Sequence, residues 1–90
     1  MRIGDYADSI NKSIVIRRRT RFGGMQWYAD FGDGGSEIHE GGVLKGVCGN
    51  GVTPNEALRD LARVVSNQTI IFHAYSNRQE FDVPDLMGGG

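Results

Sequence analysis

The 90-residue chain has a single cysteine, Cys48, so no internal disulfide can form, and a reducing compartment suits it. It has two prolines, and no apolar run near the roughly 20 residues that a membrane helix needs. Its net charge is -1, which excludes an overall field that gathers nucleic acid or an acidic membrane. The first ten residues contain Asp5 and Asp8 and no apolar h-region, so they do not read as a secretory signal. These shortages point to a small cytoplasmic domain with no membrane partner.

Glycine is what the chain has in excess, at 14 of 90 residues. Between the glycines lie short segments rich in β-branched and aromatic residues, which is the punctuation of strands and turns. Ser13 to Arg19 reads as a first strand, with Ile14 and Ile16 on one face and Val15, Arg17 and Arg19 on the other. Gly23-Gly24 marks a turn. Met25 to Phe31 reads as a second strand, with Trp27, Ala29 and Phe31 facing the core. Gly32 to Gly35 reads as a hairpin turn, and Ser36 to Cys48 as one strand broken at Gly41-Gly42 or as two short ones.

Thr53-Pro54-Asn55-Glu56 is the sharpest local signal. Thr caps a helix, Pro suits its first position, and Glu reaches back toward the Thr53 N–H. Val52 and Ala57 are placed for a hydrophobic staple. Ala57, Leu58, Leu61, Ala62, Val64 and Val65 then recur at helical spacing up to about Ser66-Asn67. Thr69 to Tyr75 reads as a further strand, and Gln79 to Val83 as a short edge strand pairing back. The expected fold is α+β: an antiparallel sheet of three to five strands with one helix packed on one face, in the order β-β-β-α-β. Residues 1–12 read as an N-terminal arm, 13–84 as a single domain, and 85–90 as a flexible Gly-rich tail.

Catalytic and metal-binding patterns are weak. Cys48, His39 and His73 are the candidates for nucleophilic chemistry, but a lone Cys closing an apolar strand is usually a small buried hydrophobe. Paired ligand spacings for zinc do not occur. Asp30-Phe31-Gly32 spells a kinase motif in a chain far too short for a kinase. Gly49 to Pro54 loosely resembles a phosphate-binding turn, yet it lacks a third glycine, and Pro54 removes an N–H from the helix start. An enzyme and a cofactor are therefore not expected.

Charge is sorted along the chain. Lys12, Arg17, Arg18, Arg19 and Arg21 form a basic run with no acid among them. Asp30, Asp33, Glu37 and Glu40 follow as an acidic run with no base. Opposite charges on adjacent strands can simply neutralise one another, at roughly 0.2–1 kcal/mol per pair. Alternatively, the acidic group Asp30, Asp33, Glu37 and Glu40 docks on a basic partner. Tyr28 faces away from the core beside Gln26 and Asp30 and can anchor such an interface. Arg17, Arg18, Arg19 and Arg21 are the candidates for direct nucleic-acid binding, although strand alternation splits them between two faces.

The string Gly51-Val52-Thr53-Pro54-Asn55-Glu56-Ala57-Leu58, following three strands, resembles the opening of the helix in HicB-like antitoxin domains. That family has a partial double-stranded-RNA-binding fold, and the layout matches over roughly residues 13 to 75. The segment from Val43 to Cys48 departs from it by lacking the family's proline. The resemblance implies an antitoxin that neutralises a small ribonuclease toxin. The chain is also similar to small bacteriophage proteins of the anti-CRISPR type. That similarity implies a non-catalytic inhibitor in the host cytoplasm that binds a host nucleic-acid-processing complex through protein–protein contacts. A homodimer formed through an edge strand is compatible with either reading.

Overall fold

The computed structural model describes residues 1–21, 24–32 and 36–87, with positions 19, 21, 24 and 25 described by backbone alone. In chain order the elements are α1 (Ile3–Ser9), β1 (Ile14–Arg21), β2 (Gly24–Phe31), β3 (Ser36–Glu40), β4 (Val43–Gly46), β5 (Gly49–Gly51), α2 (Pro54–Val65), β6 (Thr69–Phe72) and β7 (Gln79–Asp82). The class is α+β. The strands divide between two antiparallel sheets, ordered β1-β2-β5 and β4-β3-β6-β7, where a single sheet was expected.

The division occurs after β2. The Gly32–Gly35 stretch was expected to fold β2 back onto β3, but β2 pairs with β1 and β5, and β3 pairs with β4 and β6. Glycine marks a change of direction without fixing which sheet the chain enters next. Positions 33–35 of that stretch, and the Gly23 turn, lie outside the described residues. Gly41-Gly42 joins β3 and β4 as a two-residue hairpin, with Glu40 opposite Val43. Both glycines have positive φ, +61° and +83°, the conformation that strand-matched tight turns require.

Residues 1–12 do not form an arm. Ile3, Tyr6 and Ala7 of α1 are buried in the common core, and Ile10 packs against it. Tyr6 donates its hydroxyl to the Asp82 carbonyl at 3.3 Å, tying the helix to β7. Burial pushes the Tyr6 phenol above its ordinary pKa, and the Asp82 charge adds to this. Residues 85–87 are also docked rather than loose: Leu86 is buried and its N–H donates to Ser66 Oγ at 2.9 Å. The last three glycines lie outside the described residues. Among the described residues no helix is long and apolar enough to cross a membrane.

Helix α2 begins as its sequence requires. Thr53 is extended and its side chain accepts from the Glu56 N–H at 3.1 Å. The Glu56 carboxylate accepts from Val52 rather than from Thr53, at 2.9 Å. Val52 is exposed, so no staple forms. The helix buries Ala57, Leu61, Ala62 and Val65 against β5 and β2. Small residues lie beneath it at the closest approach: Ala29 in β2 and, directly opposite it in register, Gly49 in β5. A Cβ at Gly49 would fall inside 3.0 Å of Leu61 N, Leu61 Cα and Ala57 O. One at Gly51 would do the same against Ala57 N and Glu56. The glycines that resembled a phosphate loop are therefore a seat for the helix.

Asp60 secures the same contact from the outer side. Its carboxylate accepts the Asn50 N–H at 2.9 Å and both Nε and Nη2 of Arg63 at 2.9 and 2.8 Å. Burial alone would raise the Asp60 pKa, but the Asn50 hydrogen bond and the Arg63 guanidinium outweigh it and hold the group below its ordinary 3.8. A depressed carboxylate stabilises the fold above its unfolded pKa and loses that contribution as pH falls through the native value. Asp60→Ala is expected to cost about 1 kcal/mol at neutral pH, because the carboxylate keeps some solvent exposure. In urea titrations the difference from wild type should shrink as pH falls below the ordinary 3.8 and through the lower native value; a difference that stays constant over that range would place its origin in packing.

The two sheets share one core. Phe31 of β2 meets Phe72 of β6 edge-on, with ring centroids 5.5 Å apart, and Phe72 meets Phe81 at 5.9 Å. The Lys12 ammonium lies 4.6 Å from the Phe72 ring centroid. Ile71 is fully buried yet lies outside this cluster, on the opposite face of its sheet between Glu37 of β3 and Glu80 of β7.

Candidate docking surface

The register of the three-stranded sheet sorts its residues by face. Ile14, Ile16 and Arg18 share the helix side with Trp27, Ala29 and Phe31. Val15 and Arg17 share the other side with Tyr28 and Asp30. On this second face Arg17, Tyr28 and Asn50 form one cross-strand row. Arg17 and Asn50 are exposed, and Tyr28 and Asp30 are half-buried. Helix α2 covers β5 and β2 on one face of the sheet and leaves this polar, aromatic one outward.

The basic run is split as alternation predicts. Arg17 belongs to the outward face. Arg18 sits on the helix side, its guanidinium carbon 5.6 Å from the Trp27 ring centroid, where a cation–π contact holds it. Arg19 pairs in register with Gln26, and Arg21 with Gly24; their side chains lie outside the described residues.

The acidic run is not gathered into one surface. Asp30 belongs to the three-stranded sheet, whereas Glu37 and Glu40 belong to β3 in the other sheet, three residues apart and on opposite faces. Glu40 forms an ion pair with Lys45 at 3.2 Å, so part of the acidic charge is neutralised locally. Asp33 lies outside the described residues. Nearby, Arg78 pairs with Glu80 at 3.0 Å and reaches His39 Nε2 at 3.3 Å. Sequence reasoning treated the acids as contiguous because they are close along the chain; the crossover between sheets separates them.

The remaining candidates have structural partners. The Cys48 thiol is half-buried and contacts the Gly49 carbonyl at 3.7 Å. His73 follows β6 with φ at +54°, and its carbonyl accepts from the Ser76 N–H at 3.1 Å. Among the described residues no group of three or more His, Cys, Asp or Glu side chains is placed to hold a metal. An open groove of about 1410 Å³ runs between α1 and α2, its walls mixing Asp5, Asp8 and Arg59 with Leu58 and Met87.

Comparison of the chain with family models, with curated proteins and with solved structures returned no match.

Proposed function

We propose that this chain is a non-catalytic binding protein that docks on a host nucleic-acid-processing complex and blocks it, through the outward face of the β1–β2–β5 sheet. The observation carrying the proposal is the row Arg17–Tyr28–Asn50 on a rigid sheet whose reverse side is covered at β2 and β5 by α2. An aromatic ring flanked by a guanidinium and an amide suits a protein interface, where Tyr and Arg contribute most of the binding energy. Protein rather than nucleic acid is the favoured partner because Arg18 is turned to the other face, which interrupts a phosphate-tracking stripe.

Affinity capture from host lysate with the wild-type chain and with Tyr28→Ala tests this. The wild type is expected to retain a host nucleic-acid-processing protein, and Tyr28→Ala to lose it by tenfold or more while its melting temperature shows that it is folded. Equal capture by both chains would overturn the assignment of this face. Recovery of a small ribonuclease toxin would move the protein to the antitoxin reading that residues 51–58 suggest. A DNA or RNA gel shift with steep salt dependence would move it to direct nucleic-acid binding.

A further inference from the structure

We infer that the β1 edge accepts an extended acidic segment of a partner protein as an added strand; this deepens the docking surface proposed above and rests on that reading.

The outer strand has unused backbone capacity. Gly32 N–H donates to the Ser13 carbonyl at 3.0 Å, which makes Ser13 and Gly32 a hydrogen-bonded pair. Antiparallel pairs alternate, so Val15–Asp30 and Arg17–Tyr28 are hydrogen-bonded as well. The N–H and C=O groups of Ile14, Ile16, Arg18 and Thr20 therefore point away from β2. Among the described residues these groups have no hydrogen-bond partner. Residues 16, 17, 18 and 20 are all exposed.

The other edges are short or partly covered. The outward N–H of Asn50 on β5 is taken by Asp60, and the Val52 N–H just beyond it by Glu56. The outward Asp82 carbonyl of β7 is taken by the Tyr6 hydroxyl. The edge of β4 is short, with only Leu44 and Gly46 turned outward by the same alternation. β1 is the long edge, at 8 residues, and its outward groups are met by neither helix.

Charge selects the occupant. Two copies of β1 paired antiparallel about Arg17 or Arg18 would set arginine against arginine, and like charges directly opposite destabilise a sheet. A strand with carboxylates at alternate positions places one beside the exposed Arg17 on the outward face. Its intervening side chains lie toward exposed Ile16 on the helix side. Main-chain hydrogen bonds would supply affinity and the Arg17 guanidinium the preference for acid.

The test uses the full chain and two synthetic octapeptides alternating Glu and Thr, one unmodified and one N-methylated at every amide. The methylated peptide keeps its charge but cannot donate to the edge. Saturable binding of the first, weakened tenfold or more in the second, is expected, together with slowed amide exchange at Ile16, Arg18 and Thr20. Ile16→Pro deletes an outward N–H only, so it should keep the fold and lose the peptide. The methylated peptide keeps the test decisive should that variant misfold. Equal binding of both peptides, or no binding of either up to about 1 mM, overturns the inference. So does a dimer that Ile16→Pro dissolves, or an oligonucleotide that displaces the peptide. Loss of host capture with Tyr28→Ala but not with Ile16→Pro would sink the added strand and leave the docking face standing.

Discussion

Gly49→Ala is expected to lower the melting temperature by about 15 °C, an effect large enough to leave much of the protein unfolded at 37 °C. The added methyl meets the backbone of α2 at Leu61 and Ala57, which cannot rotate aside as a side-chain tip can. Either the helix lifts from β5 or the strand is pushed from β2, and overpacking of this kind costs about 3 kcal/mol. In a domain of this size each kcal/mol shifts the midpoint by roughly 5 °C. Gly46→Ala is the control: its Cβ would meet nothing within 4 Å, so its melt should stay close to wild type. Thermal denaturation followed by circular dichroism measures both. Identical midpoints for the two variants would mean that α2 is not seated on Gly49.

Phe72→Ala is expected to cost about 3–5 kcal/mol, read from the shift of the urea midpoint. Phe72 is fully buried and its ring touches Phe31 from the three-stranded sheet and Phe81 from its own. Its removal leaves a cavity where the two sheets meet and also withdraws the ring beneath the Lys12 ammonium. Phe72→Leu should recover more than half of the loss, since it refills much of the volume. A leucine variant as unstable as the alanine one would show that ring geometry rather than filled volume holds the sheets together.

Strands β1 to β4 and β6, the helix α2 with its cap, and the pairing back of Gln79 to Asp82 were all legible in the sequence, because each follows from local spacing or local capping chemistry. Helix α1 was legible too and was passed over: Ile3, Tyr6, Ala7 and Ile10 stand at helical intervals, but in a segment poor in other apolar residues. β5 was not legible. Gly49-Asn50-Gly51 has no strand propensity and forms a strand because only glycine lets α2 lie so close. The partition into two sheets was hidden for a related reason, since turn residues fix a reversal and long-range packing chooses the destination. At the candidate site, alternation set Tyr28 on the side of Asp30 and separated Arg17 from Arg18, and the strand register then brought Arg17 opposite Tyr28. The acidic run misled, because nearness along the chain does not survive a crossover.

The hydrogen bond from Tyr6 to Asp82 spans 76 positions, and that from Lys12 to Gln79 spans 67. Helix α1 thus docks on β7, and a nascent chain has to hold that helix unsatisfied until β7 has left the ribosome. Closure of so wide a loop belongs late on the folding route. A chain arrested before β7 should consequently be sensitive to proteases at its beginning as well as at its unfinished end.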